Sequence, residues 1–423
     1  MISSIFKEGF IYAFSDSIRK LSPFLLLPIY ISSLSISDFG KLEYITVLST
    51  FTSYLIGWGS IQGLLRYYEK EKKYAVSASM VIITLVFLIA LLFFNFLDYF
   101  IKITIFLDIT SEILNACILY GYVLSINNLS LTILRFEQRL VEYGILNLSI
   151  VIIQIVLIYY FLIYLDFSFL AKIFGLIIAN LVLLPILIIY ILRSKINFSF
   201  SFEPYKDILR FYTPITISNM LGWGSGSVDR IAIKAFLGDE QLGIYSFIFQ
   251  LVQIFKLGAE SFLKSINVLI YKNLDLIKLF LQSRKILIIA LYFFAFLYFI
   301  FIIFLYKYDL FLNYPIPISL FLILIFSRVI LLSNFMEVIF FYAEVDSRSV
   351  SYSNLISFLF LILIIMPCIM IAGLEGVALS LFLYALLNYI ILNFFRRTDI
   401  AILLLNVLLL ILPFVFLLLL KYV

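Results

Sequence analysis

The chain of 423 residues has no histidine, two cysteines and few charges. Without histidine there is no imidazole acid–base chemistry and no His-ligated metal site, and none is expected. Cys117 and Cys368 each stand alone in an apolar segment, which excludes a CxxC motif and a disulfide framework. Charged residues make up 13% of the chain, against roughly 25% in soluble proteins. Large extramembrane loops are also missing: no outer loop exceeds about 15 residues, and no Asp-x-Asp or paired-carboxylate motif stands in an inner one. No catalytic residues are expected, and a membrane enzyme is disfavoured.

What the chain has instead is apolar length. Hydrophobic residues make up 64% of it, with a mean hydropathy of +1.16. Runs of about 20 apolar residues, each enough to cross a bilayer as a helix, recur throughout. They lie near 9–34, 41–65, 76–97, 110–134, 143–165 and 169–192, and resume near 208–235, 241–265, 286–306, 316–343, 350–371 and 374–395. A further run covers 401–420. The first run is not a cleavable signal peptide, because it holds Asp16, Arg19 and Lys20 and ends without a small-x-small pattern. The fold expected is an all-α membrane protein. If the N-terminus is cytoplasmic, inner loops hold 18 of the 30 Lys and Arg, outer loops hold 5, and 7 lie inside spans. That bias sets the orientation, and the net charge of +5 reflects it rather than a nucleic-acid partner.

The longest polar break, about 193–208, divides the chain into an N-terminal lobe (1–193), a cytoplasmic linker (194–207), a C-terminal lobe (208–397) and an additional C-terminal segment (398–423). Residues 37–68 are similar to residues 240–271, an offset of 203 that pairs Gly40 with Gly243 and Tyr68 with Tyr271. Six spans per half is an even number, so the halves are expected to be parallel repeats with a substrate path between them.

Three stretches resemble the polysaccharide-unit exporters, the O-antigen flippases of the multidrug/oligosaccharidyl-lipid/polysaccharide superfamily. They are PFLLLPIYISSLSISDFGKLEYI with GWGSIQGLLRYYEKEKK, VDRIAIKAFLGDEQLGIYSFIFQLVQIF at 228–255, and MPCIMIAGLEGVALS at 366–380. The resemblance implies a two-lobed exporter core of 12 helices (6+6), with the run at 401–420 as an extra thirteenth. It implies a bacterial inner-membrane protein that carries undecaprenyl-diphosphate-linked O-antigen or capsule repeat units to the periplasmic leaflet by alternating access. Partners would be that lipid-linked oligosaccharide, the bilayer, and polymerase or other polysaccharide-assembly proteins. The alternative within the superfamily is a cation-coupled multidrug exporter; a polysaccharide polymerase of the same pathway is the third, disfavoured reading.

Charges inside the spans cost roughly 2.5–3.5 kcal/mol each and mark functional positions. The first span carries Asp16, Arg19 and Lys20; the seventh carries Asp229, Arg230 and Lys234; the eighth carries Lys256, Glu260 and Lys264 at intervals of four; the tenth carries Arg328 and Glu337. Seven embedded cations stand against Asp16, Asp229, Glu260 and Glu337. Helix-to-helix ion pairs and snorkelling of Lys20 and Lys264 are the plainer readings of any single charge. The surplus of the set fits an anionic substrate. Arg19, Lys20, Arg230, Lys234, Lys256 and Arg328 are the expected substrate-binding cations, because guanidinium forks and ammonium charges suit a diphosphate. Asp16, Asp229 and Glu260 would orient them or bind Na⁺ or H⁺ as the coupling ion; no other cofactor is expected. Trp58 and Trp223 each sit in a Gly-Trp-Gly-Ser tetrapeptide, at 57–60 and 222–225. Open indole faces there would suit sugar stacking, while coincidence and close helix packing by the glycines are the alternatives. Pro23 and Pro28 would bend the first helix.

Overall fold

The structure is a computed structural model. It describes residues 2–193, 202–272, 276–308, 311, 314–343, 347–398, 404, 406–408 and 410–411. Most of the expected linker and of the thirteenth run therefore lies outside the described residues. All regular structure in the described residues is helical: α1 (Ile2–Ser33), α2 (Ile36–Gly57), α3 (Ser60–Ile101), α4 (Ile103–Leu107), α5 (Ser111–Phe136), α6 (Leu140–Ile163), a 3₁₀ turn (Ser168–Leu170), α7 (Ala171–Arg193), α8 (Phe202–Lys272), α9 (Leu276–Lys307), α10 (Ile318–Ala343) and α11 (Ser347–Phe395).

Eight helices among the described residues are long and apolar enough to cross a membrane. Two of these, within α8 and α11, are broken inside: Gly238 has φ 83° and Gly373 φ 55°, backbone that glycine reaches without a Cβ clash. α1 and α2 are also of spanning length, but α1 carries Arg19 and Lys20, and α2 carries Asp38, Lys41 and Glu43. The breaks bear on the internal repeat. The 203-residue offset that aligns Gly40 with Gly243 also carries Ser35, the N-cap of α2, onto Gly238. It carries Leu170, just before α7, onto Gly373. The chain therefore turns at repeated positions, although few residues there are identical.

Lipid-facing surface is legible on α3. Leu85, Leu88, Ile89, Leu92, Phe93 and Phe96 recur at three- and four-residue spacing and are all exposed. In water such a stripe would be a liability, but in a bilayer it meets acyl chains of its own polarity.

The described residues form two compact units, Met1–Gly226 and Ser227–Val423. The division falls inside α8, later than the polar break at 194–207. The reason is packing: Ile208 and Tyr212 of α8 are buried with Ala78 and Ile82 of α3, and the Tyr212 hydroxyl bonds Ser79 at 2.9 Å.

In the first unit α2 packs on α5, α5 and α6 on α7, and α1 on α6. Close approach depends on small residues. A Cβ on Gly121 would stand 2.9 Å from the Thr52 carbonyl, and the Thr52 hydroxyl donates to Cys117 O at 2.7 Å. Ser35 caps α2 by accepting from Asp38 N–H at 3.1 Å. α2 ends where Trp58 and Gly59 both turn left-handed, φ 38° and 64°. In the second unit α10 packs on α11 and on α9.

Candidate functional site

In the second unit, three helical segments bring charge to one ring. After the Gly238 break, α8 carries the buried Tyr245 and Phe249; before it, α8 carries Asp229 and Arg230. The guanidinium carbon of Arg230 lies 4.7 Å from the Phe249 ring centre, and that of Arg328, from α10, lies 4.6 Å from the same centre. Asp229 is 1% exposed and accepts from the Tyr245 hydroxyl at 2.6 Å and from Arg230 N–H at 2.8 Å. Its Oδ1 stands 3.6 Å from Arg230 Nε.

Arg328 differs from Arg230. It is 8% exposed and forms no hydrogen bond or ion pair among the described residues, whereas Arg230 has Asp229 beside it. The Phe249 ring is its charge-stabilising contact. With two guanidinium groups and one carboxylate, the cluster keeps an unbalanced positive charge within membrane-spanning helices, the condition that favours an anion.

The remaining cations on α8 divide. Lys234 is paired with Asp239 at 2.6 Å, a bridge across the Gly238 break that fastens its two sides. It is engaged as a structural ion pair. Lys256 and Glu260 are half-buried one turn apart on α8; the Lys264 side chain lies outside the described residues. Glu337 is fully buried and paired with Arg396 at 3.0 Å, which joins α10 to the end of α11.

In the first unit the partners of Arg19 among the described residues are amides. It donates to Asn128 Oδ1 at 3.1 Å and to Asn147 Oδ1 at 3.5 Å, from α5 and α6. Its charge is therefore solvated by neutral dipoles and not cancelled by them. Lys20 is exposed, and the side chain of Asp16 lies outside the described residues. The expected open indole at Trp58 is not what forms: its ring packs with Ala78, Ile82, Ile208 and Tyr212, because the left-handed turn at the end of α2 directs it into that cluster. Trp223 tilts against Phe51 at 4.8 Å and donates Nε1–H to Val47 O at 3.2 Å.

Sequence reasoning passed over Phe249, Tyr245, Asn128 and Asn147. A phenylalanine among 46 carries no local signal, and its role comes only from the two arginines around it. It also passed over Lys172. Lys172 is buried and paired with Glu43 at 2.9 Å, tying α7 to α2.

The all-helical fold is shared with solved membrane transporters. It is similar to the inward-facing conformation of a multidrug resistance MATE family transporter of the MOP superfamily, with a TM-score of 0.68 at 16% identity, over 90% of this chain and 95% of that one. It is also similar to the lipid II flippase MurJ in its inward closed conformation, with a TM-score of 0.70 at 14% identity, over 97% and 92% of the two chains. Residues 5–266 match the family described as polysaccharide biosynthesis protein, and the chain belongs to that family. Lsg locus putative protein 1 of Haemophilus influenzae is 24% identical over 287 residues, 66% of this chain and 69% of the relative.

Proposed function

We propose that the protein flips undecaprenyl-diphosphate-linked oligosaccharide, an O-antigen or capsule repeat unit, from the cytoplasmic to the periplasmic leaflet of the bacterial inner membrane, with its N-terminus in the cytoplasm. The observation that carries this reading is Arg328, a buried guanidinium that forms no ion pair among the described residues, beside Arg230 on the same ring. A lipid diphosphate supplies the missing negative charge and accepts forked hydrogen bonds from both. Family membership and the likeness to a lipid II flippase support the same reading. Export of cationic drugs calls for acidic groups free to receive them, whereas Asp229 and Glu337 are both engaged by arginines. The protein acts as a transporter and not an enzyme, and its cargo passes to the polymerase and other assembly proteins.

The membrane potential is a sufficient energy source. Moving one charge through the field is worth roughly 2.3 kcal/mol per 100 mV, so a headgroup of about two negative charges gains about 4–5 kcal/mol moving outward. Proteoliposomes holding the protein and a fluorescent polyprenyl-diphosphate sugar test both parts. Flipping should speed up when the destination side is positive and ignore Na⁺ or pH gradients at zero potential. Failure to flip this lipid under any condition would refute the substrate. Accumulation driven by an ion gradient alone would transfer the energetic role to a coupling ion at the carboxylates Asp16, Asp229 or Glu260.

A further inference from the structure

The first Gly-Trp-Gly-Ser tetrapeptide does not offer its tryptophan, yet its other residues line a recess. Gly57, Gly59 and Ser60 stand on one side, with Tyr54 from α2, Asn128 from α5 and Asn219 from α8 around them. The glycines place no side chain in it. Gly59 also permits no substitute, since it holds φ 64° and a Cβ there would lie 2.6 Å from the Tyr212 carbonyl oxygen. The recess carries no charged lining residue. The guanidinium of Arg19 reaches one of its lining residues at Asn128 Oδ1.

What marks the recess as a binding site is its unused hydrogen-bonding capacity. The Ser60 hydroxyl is 1% exposed and has no partner among the described residues. An unmet buried hydroxyl costs about 1–3 kcal/mol and is rarely left so. Among the described residues the Tyr54 hydroxyl, the Asn219 amide and the Asn128 amide nitrogen also make no hydrogen bond, while Asn128 Oδ1 is fixed by Arg19. Hydroxyls and amides that both donate and accept, without a formal charge, match a polyol better than a phosphate. Tyr54, 39% exposed, adds a flat apolar face with a polar tip.

We infer that this recess binds one sugar ring of the cargo, with Ser60 and Asn219 as its specificity-determining contacts. The inference rests on the reading that the cargo is a lipid-linked sugar. The chain's own fluorescence reports on it, because its only two tryptophans flank the recess: Trp58 between the two glycines and Trp223 one helical turn beyond Asn219. The full-length protein in lipid nanodiscs is titrated with polyprenyl diphosphate, bare or carrying one N-acetylglucosamine. The wild type should bind the glycosylated lipid roughly tenfold more tightly, as expected of one or two added hydrogen bonds. S60A combined with N219A should bring the two affinities together while leaving the bare lipid's affinity unchanged. Ser60→Ala removes only an unpaired hydroxyl, so loss of folding does not confuse the result. Equal affinities in the wild type, or a preference that survives in the variant, would overturn the sugar site and leave the flippase reading intact. Weakened binding of the bare lipid in the variant would make the recess a phosphate site and overturn it equally. Binding of neither lipid would remove both readings together.

Discussion

Arg230 and Arg328 share one aromatic ring: their guanidinium carbons lie 4.7 and 4.6 Å from the centre of Phe249, although 98 positions separate the two arginines in sequence. Their environments are unequal. Asp229 pairs with Arg230 at 3.6 Å, while Arg328 has the ring and forms no ion pair among the described residues, feeling Asp229 only at longer range. Most of the behaviour expected of variants follows from that inequality.

An arginine held without an anion destabilises the empty protein. Arg328→Met should therefore leave thermal stability in detergent equal to or above wild type, because it relieves a buried charge whose cost is roughly 2.5–3.5 kcal/mol on insertion scales. The same variant should abolish surface polysaccharide in cells, and Arg328→Lys should restore it only in part, since an ammonium group lacks the fork. A less stable Met variant, or normal polysaccharide with it, would show that Arg328 holds the structure and not the cargo.

Removing the carboxylate should do the opposite. Asp229→Ala leaves Arg230 and Arg328 uncompensated around one ring and orphans the Tyr245 hydroxyl. Breaking a buried pair in this way costs about 3–5 kcal/mol, so the variant should unfold earlier or fail to accumulate. Tyr245→Phe removes one hydrogen bond and should cost about 1 kcal/mol. Melting curves of the two purified variants separate these cases.

The Lys172–Glu43 bridge should be structural. Glu43→Gln leaves a buried ammonium without its anion and is expected to destabilise the first unit strongly. Replacing the pair together, Glu43→Leu with Lys172→Met, should recover most of the loss, because apolar replacements of a buried pair are often neutral or stabilising. Transport by the double variant should be near wild type. A stable double variant that no longer transports would give the bridge a role in the cycle.

Gly59 and Gly222, one from each Gly-Trp-Gly-Ser segment, should tolerate alanine very differently. Gly59→Ala forces a left-handed backbone and a contact of 2.6 Å with Tyr212 O, and should impair folding. Gly222→Ala meets nothing within 4 Å in a helix and should raise stability by up to about 1 kcal/mol. Expression and melting temperature of the two variants provide the comparison.

The sequence by itself determined the class of the protein. Apolar runs, the scarcity of charge and the 203-residue offset all depend on composition or on neighbours along the chain. Helices, lipid-facing stripes and the repeated turns at Ser35, Gly238, Leu170 and Gly373 follow from them. It also singled out Arg19, Arg230 and Arg328, because a charge in an apolar run is conspicuous wherever it points. Only the tertiary structure decided what each charge meets. Lys234 found Asp239 five residues away, but Glu43 and Lys172 are 129 positions apart and Glu337 and Arg396 are 59 apart. Helical periodicity reaches three or four residues, so such pairings leave no local trace. For the same reason Phe249 looked like any other phenylalanine and Trp58 looked open. Whether a side chain faces a cation, a cluster or a recess depends on helices that the sequence places next to it only after folding.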